Sequence, residues 1–150
     1  MDSRKPQDSN YSIVGDPNME TTKKVRILHI EDNPIDAELI QLMLDRTGLN
    51  CEIFLVASRT ECLTALNKGT YDLILSDSHG HDLDVLEILG LVRERLPDIP
   101  LLIVSGSFDD NSPETLKARG ATDCLLKDNL DALATTIRRV LPAASTVPKP

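Results

Sequence analysis

Short aliphatic runs alternate with amphipathic stretches from about residue 24 to residue 141. The runs predict five strands, and three of them are apolar almost throughout, which is typical of strands covered by helices on both faces. The predicted strands are VRILHI at 25–30, EIFLVA at 52–57, DLILSD at 72–77, PLLIVS at 100–105 and DCLLK at 123–127. We therefore expect a sheet that is buried on both sides.

Five helices are predicted between and after these strands. Asn33 and Pro34 mark the start of the first, because asparagine caps helices and proline suits the first helical position, and Gly48 marks its end. Its predicted apolar stripe consists of Ile35, Leu39, Ile40, Met43 and Leu44. The other helices are predicted from Ser58 to Gly69, from Asp82 to Arg95, from Ser112 to Gly120, and from Asp128 or Asn129 to Arg139. Five β-α units joined by right-handed crossovers predict an α/β fold with a doubly wound parallel sheet.

The chain has 150 residues, enough for one domain with a single sizeable core. We expect this domain to span residues 24–141. Residues 1–23 are polar without a sustained period, and residues 142–150 are small residues and prolines. Both segments are predicted to be flexible.

The charge and the cysteine content argue against several classes of protein. The net charge of −8 argues against direct binding to nucleic acid or to anionic lipid. No apolar stretch approaches the roughly 18 residues of a membrane span, and no signal-peptide pattern is visible. Cys51, Cys62 and Cys124 form no CxxC pair. We expect a protein of the reducing cytoplasm without a disulfide framework.

Acidic and polar residues stand where the predicted strands end, and the carboxyl ends of parallel strands are where function collects in such folds. Neighbouring carboxylates repel one another unless a cation compensates. Mg²⁺ prefers oxygen ligands and leaves room for water and a phosphate oxygen. The pattern therefore predicts a phosphoryl-transfer site with Mg²⁺. The strand-end residues are Glu31, Asp32, Asn33, Asp77, Ser105, Gly106 and Lys127.

Four motifs together resemble the receiver domain of two-component response regulators, over about residues 24–141. They are IEDNP at 30–34, DLILSD at 72–77, VSG at 104–106 and GATDCLLKD at 120–128. The resemblance implies a flavodoxin-like receiver with strand order 2-1-3-4-5. It also implies a signalling switch that catalyses only its own phosphorylation and dephosphorylation.

Roles for individual residues follow from the resemblance. It implies that Asp77 takes a phosphoryl group from a phosphohistidine. It implies that Mg²⁺ is held by Glu31, Asp32, Asp77 and the main-chain carbonyl of His79. It implies that the phosphoryl oxygens are bound by Lys127, the Ser105 hydroxyl and the Gly106 amide. Two residues at the rim, His79 and Ser107, are expected to tune hydrolysis.

Partners follow in the same way. The resemblance implies a sensor histidine kinase or a histidine phosphotransfer protein upstream, and a downstream protein that binds a surface formed by about residues 112–139. Whether the protein is a stand-alone regulator or part of a larger hybrid protein stays open.

Four positions depart from the family pattern. His81 and Val85 stand where a proline and a glycine are usual, and Cys124 stands where an aromatic switch residue is usual. Asp128 follows Lys127 where a cis-proline is common, so we expect a trans bond there, with Asp128 capping the last helix. Cys124, His81 and Val85 favour an alternative, a pseudo-receiver that binds partners independently of phosphorylation, whereas the complete set of site residues argues against it.

The segment SHGHD at 78–82 resembles the HxHxD motif of metallo-hydrolases, but Leu83 stands where that motif needs aspartate. The only other histidine is His29, too few for a dinuclear zinc site. A metal-dependent hydrolase would also need a second acid or base beside Asp77. We expect His29 to be a hydrogen-bonded structural residue and the cysteines to be small core residues.

Overall fold

The computed structural model of the protein describes residues 24–80, 82 and 84–141. Its five strands are β1 (Val25–Ile30), β2 (Cys51–Val56), β3 (Leu73–Ser76), β4 (Leu101–Ser105) and β5 (Asp123–Leu126). Its α-helices are α1 (Pro34–Arg46), α2 (Arg59–Lys68), α3 (Val85–Arg95), α4 (Pro113–Ala118) and α5 (Asp131–Val140), with a 3₁₀ turn at Lys127–Asn129. Each predicted strand is present, with ends that agree to within about one residue.

All strand pairs are parallel and form one sheet in the order β2-β1-β3-β4-β5. This confirms the doubly wound sheet and the order 2-1-3-4-5. β3 and β4 are buried along their whole length, as their unbroken apolar sequences predict.

Side chains that alternate along the strands build a core on each face of the sheet. Leu28 and Ile30 of β1 pack with α2, α3 and α4, whereas Ile27 packs with α1 and α5. This alternation follows from the two-residue period of a strand. The helices on both faces leave the carboxyl ends of β1 and β3 open at one edge.

The predicted apolar stripe of α1 is wrong in part. Ile40 and Leu44 are buried, but Ile35 is 74% exposed and Leu39 is 45% exposed. At about 100° per residue, Ile35 and Leu39 lie on the face opposite Ile40 and Leu44. Leu42 joins them on that face and is also exposed. The helix therefore has a second apolar face that the core does not cover.

Helix starts differ from prediction at two places. α3 begins at Val85 with Asp84 as its cap, not at Asp82. Asp128 does not cap the last helix, because the chain from Lys127 to Asn129 forms a 3₁₀ turn first. α5 then starts after Leu130, and no side chain of the described residues caps it. No peptide bond between described residues is cis.

His29 also differs from prediction. The residue is 1% exposed, and its Nδ1 has no hydrogen-bond partner among the described residues. The three cysteines carry free thiols, and all three belong to or pack against the core. The expected flexible segments, 1–23 and 142–150, lie outside the described residues.

None of the helices in the described part of the chain is both long and apolar enough to cross a membrane.

Candidate metal centre

Main-chain hydrogen bonds extend the sheet by one residue and fix two carboxylates at its edge. The amide of Glu31 donates to the Val56 carbonyl at 2.9 Å, and the amide of Asp77 donates to the Ile30 carbonyl at 3.0 Å. Glu31 and Asp77 therefore continue adjacent strands, and their side chains have little freedom to separate.

Asp32 completes an acidic cluster. One carboxylate oxygen from each of Glu31, Asp32 and Asp77 can be chosen so that all three lie within 4.8 Å of one another. The Glu31 side chain is fully buried, and that of Asp77 is only 11% exposed. Hard carboxylate oxygens held this close together suit Mg²⁺, so the residues fit the expected ion.

Lys127 brings a positive charge to this cluster from the end of β5. Its Nζ lies 2.9 Å from Glu31 Oε1 and 3.4 Å from Asp77 Oδ2. The shortest contact, 2.7 Å, is to Oδ2 of Asp36 in the first turn of α1. One ammonium group thus faces three carboxylates.

Burial and these contacts shift the pKa values of Glu31 and Lys127. Burial is the main reason that the pKa of Glu31 is raised to about 7, and the Lys127 contact opposes it. Burial alone would lower the pKa of Lys127, but its contacts with the carboxylates of Asp36, Glu31 and Asp77 outweigh burial and raise that pKa above its ordinary value. Lys127 therefore stays charged, and without a metal ion Glu31 holds a proton more readily than an exposed glutamate.

The hydroxyl of Ser105, at the end of β4, is engaged within the protein. It donates to the Ser107 carbonyl at 2.6 Å and contacts the hydroxyl of Ser78. Ser105 is completely buried, whereas Gly106 beside it is exposed. A Cβ built at Gly106 would meet no atom within 4 Å, so space is available at this amide.

A cavity of about 340 Å³ opens over the cluster. Its lining residues are Asp32, Asn33, Asp36, Asp77, His79 and Gly80. The cavity joins the acidic cluster to solvent, so both an ion and a phosphoryl group can reach Asp77.

The sequence-predicted residues divide into two groups. The structure brings together Glu31, Asp32, Asp77 and Lys127, with His79 at the rim. It leaves Ser105 and Ser107 bonded to each other. Of the positions that depart from the family pattern, Val85 is buried at the start of α3 and Cys124 packs against the core, while His81 lies outside the described residues.

Sequence reasoning missed Asp36 and Asp110, which contact Lys127 and His79 respectively. Asp36 carries a detectable signal, because it follows the strand-end pair by four residues and falls in the first turn of a helix that starts at the site. Asp110 carries none, because it lies in a loop whose path depends on tertiary contacts.

Comparisons with known proteins place this geometry in context. A family described as "Response regulator receiver domain" matches residues 27–138. The chain is 27% identical over 120 residues to the DNA-binding transcriptional regulator NtrC of Proteus hauseri. It is 30% identical over 108 residues to the two-component response regulator ORR22 of Oryza sativa subsp. indica.

These matches cover 79% and 69% of the chain, but only 25% of the Proteus protein and 15% of the rice protein. The fold matches the receiver domain of sensor histidine kinase PA1611 from Pseudomonas aeruginosa PAO1, with a TM-score of 0.69 and 24% identity. That match covers 80% of this chain and 99% of the other, and the Pseudomonas crystal structure has a magnesium ion coordinated in its active site cleft.

Proposed function

The chain belongs to the family of response regulator receiver domains, and we propose that it accepts a phosphoryl group on Asp77 from a phosphohistidine and thereby switches a protein-binding surface. The observation that carries the proposal is the meeting of Asp77, two further carboxylates and Lys127 at the carboxyl edge of the sheet. Such a switch acts on itself and turns over no separate substrate.

Asp77 is suited to the role of nucleophile. Its Oδ1 accepts a hydrogen bond from the Ser78 amide at 2.7 Å, and its Oδ2 faces Lys127. A carboxylate oxygen of Asp77 attacks phosphorus while the bond between phosphorus and the donor imidazole breaks. The electron pair returns to the imidazole nitrogen, and an acyl phosphate remains on the protein.

Glu31, Asp32, Asp77 and the main-chain carbonyl of His79 would hold Mg²⁺. The ion, when bound, neutralises charge that builds on the transferring group. Glu31 and Asp77 would each present a carboxylate oxygen to the ion, with the Lys127 ammonium beside them.

Lys127, the Ser105 hydroxyl and the Gly106 amide would bind the phosphoryl oxygens. Ser105 must first release the Ser107 carbonyl, because its one hydroxyl proton cannot serve both acceptors. Phosphorylation therefore pulls on the chain after β4. We assign the tuning of hydrolysis to His79, which lines the cavity over Asp77, and to Ser107.

The exposed apolar face of α1 is the proposed docking surface for the phosphodonor. It consists of Ile35, Leu39 and Leu42, on the helix that begins at the rim of the site. A protein that carries phosphohistidine to Asp77 must cover this rim, and an uncovered apolar stripe at helical spacing fits an apolar helix face. The donor is a histidine kinase or a histidine phosphotransfer protein.

The output surface is proposed at residues 112–139, which follow the loop that Ser105 would move. Its partner is a protein, because the net charge of −8 disfavours a phosphate backbone. The free thiols of the chain fit a reducing compartment, the cytoplasm.

A second candidate is a pseudo-receiver that binds partners without phosphorylation. Two observations favour it, Cys124 at the position of an aromatic switch and the Ser105 hydroxyl already bonded within the protein. The contacts of Lys127 with Asp77 and Glu31 favour the first candidate, a switch that works by phosphorylation of Asp77.

Phosphotransfer from a phosphorylated histidine phosphotransfer domain tests the proposal. Leu39→Gln should slow transfer by about tenfold, because burial of one leucine side chain contributes about 1.5 kcal/mol or more. Leu55→Gln is the matched control, since Leu55 is equally exposed but lies on β2. Labelling by a small phosphodonor should be equal in both variants. Equal transfer rates for the two would remove α1 as the docking surface, and no transfer to wild type would contradict the proposed function.

A further inference from the structure

Asp36 stands outside the acidic cluster that fits a metal ion, yet it makes the shortest contact of Lys127, 2.7 Å between Asp36 Oδ2 and Lys127 Nζ. The two residues are 91 positions apart in the chain. Their ion pair joins the first turn of α1 to the end of β5. Both side chains are largely sheltered, with exposed fractions of 31% for Asp36 and 15% for Lys127.

The partners of Lys127 would change when the site fills. An ammonium group has three N–H donors, and the carboxylates of Glu31, Asp36 and Asp77 face them. Glu31 and Asp77 belong to the cluster that would hold a cation, whereas Asp36 does not. Asp36 would then be the carboxylate that keeps Lys127.

A phosphoryl group on Asp77 would be a new acceptor for Lys127. Lys127 Nζ lies 2.7 Å from Asp36 Oδ2 but 3.4 Å from Asp77 Oδ2, so the ammonium is held closer to Asp36 than to Asp77. A phosphoryl oxygen would draw the ammonium toward Asp77. The Asp36 contact resists that movement. A contact biases a switch toward the state in which the contact is stronger. The ion pair between Asp36 and Lys127 therefore favours the unphosphorylated arrangement.

We propose that Asp36 is a positioning residue that holds Lys127 on the α1 side of the site and thereby slows phosphorylation of Asp77. The inference rests on the proposed function. It gives α1 a second role, because movement at the start of this helix changes the hold of Asp36 on Lys127.

Initial rates of phosphorylation by a small phosphodonor at saturating Mg²⁺, followed by intact mass, test the inference. Asp36→Asn keeps the shape of the side chain and should raise the rate about fivefold, the effect of one ion pair of modest strength. Asp36→Glu restores the charge and should bring the rate back toward that of wild type. Glu38→Gln, which removes an exposed carboxylate from the same helix, should leave the rate unchanged.

A double-mutant cycle separates the action through Lys127 from simple repulsion of the donor by the Asp36 charge. In a Lys127→Gln background, Asp36→Asn should no longer change the rate. A fivefold rise in that background would overturn the inference, and so would an equal or slower rate for Asp36→Asn in the wild-type background. A wild-type protein that takes no phosphoryl group would instead refute the proposed function, and this inference with it.

Discussion

His79 Nε2 lies 3.1 Å from Asp110 Oδ2, so one side-chain contact joins the loop after β3 to the loop after β4. The other ring nitrogen of His79 lies 2.9 Å from the Ser78 hydroxyl, which in turn contacts Ser105. A continuous chain of polar contacts therefore runs from Asp110 to the residue that would bind a phosphoryl oxygen. Movement of Ser105 must disturb it.

Beryllofluoride with Mg²⁺, which mimics a phosphoryl group, should lower amide hydrogen exchange in residues 105–120. The reason is that Ser105 and Lys127 are drawn to the mimic and order the chain that leads into α4. Hydrogen exchange with mass spectrometry measures this, and Asp77→Asn serves as the control. Protection restricted to residues 77–80 would favour the pseudo-receiver.

Titration with Mg²⁺ alone should move the amide NMR signals of residues 31–33, 77–79 and 105–106 first. Carboxylates held this close bind a divalent ion because it relieves their repulsion. Addition of a chelator should reverse the shifts. Shifts confined to the two ends of the chain would contradict the assignment of the metal centre.

His29 should make the free energy of unfolding fall in acid. Burial lowers its pKa from 6.5 to about 4, with the Lys127 charge adding to the effect. Between these pH values the unfolded chain takes up a proton that the folded chain refuses, so this stability is complete above about pH 6.5 and is lost as pH falls toward 4.

The variant His29→Leu isolates this effect, since it removes the proton site and keeps the volume among Leu55 and Leu75 on the neighbouring strands. Between pH 7.5 and pH 5, the free energy of unfolding of the wild type should fall by about 2 kcal/mol relative to that of the variant. Urea unfolding at the two pH values measures it. A constant difference between the two proteins would mean that His29 is protonated in the folded state or is not buried.

Arg93 should stabilise the end of the molecule opposite the metal centre. Its guanidinium donates to the carbonyls of Gly120, Leu96, Pro97 and Ile99 at distances from 2.8 to 3.2 Å. Arg93→Ala should lower the free energy of unfolding by about 2 kcal/mol, because several half-buried carbonyls lose their donor.

Arg95→Ala is the matched control, since Arg95 is exposed and donates to the Asn67 side chain. Arg95→Ala should lower the free energy of unfolding by less than about 0.5 kcal/mol. Equal effects in the two variants would argue against a special structural role for Arg93. Phosphorylation of Asp77 should be unchanged in both.

The sequence predicted the sheet well because its information is local. The aliphatic run at 25–30 became β1 with the same ends, and the Asn33-Pro34 start of α1 was found as predicted, with Asn33 Oδ1 accepting from the amides of Ile35 and Asp36. Strand ends then determine which side chains meet, so the grouping of Glu31 with Asp77 could be predicted as well.

Other features depend on contacts between distant segments. The pairing of Asp36 with Lys127 spans 91 positions, and no local pattern specifies it. The sequence analysis assigned the apolar residues of both faces of α1 to one stripe. The sequence does not specify which of these faces packs against the sheet. The prediction that His29 is hydrogen-bonded was wrong for its Nδ1, because only the packing of the sheet decides whether a buried ring nitrogen meets a partner.

The intact mass of the protein after incubation with a small phosphodonor and Mg²⁺ is the most direct test of the central claim, that Asp77 accepts a phosphoryl group. Wild type and the Asp98→Asn control should each gain the mass of one phosphoryl group, and a chelator should prevent the gain. Asp77→Asn should gain none, because an amide is not a competent nucleophile, and it should keep the fold. A wild type without added mass, or an Asp77→Asn protein labelled at Ser76 or Ser78, would contradict the claim.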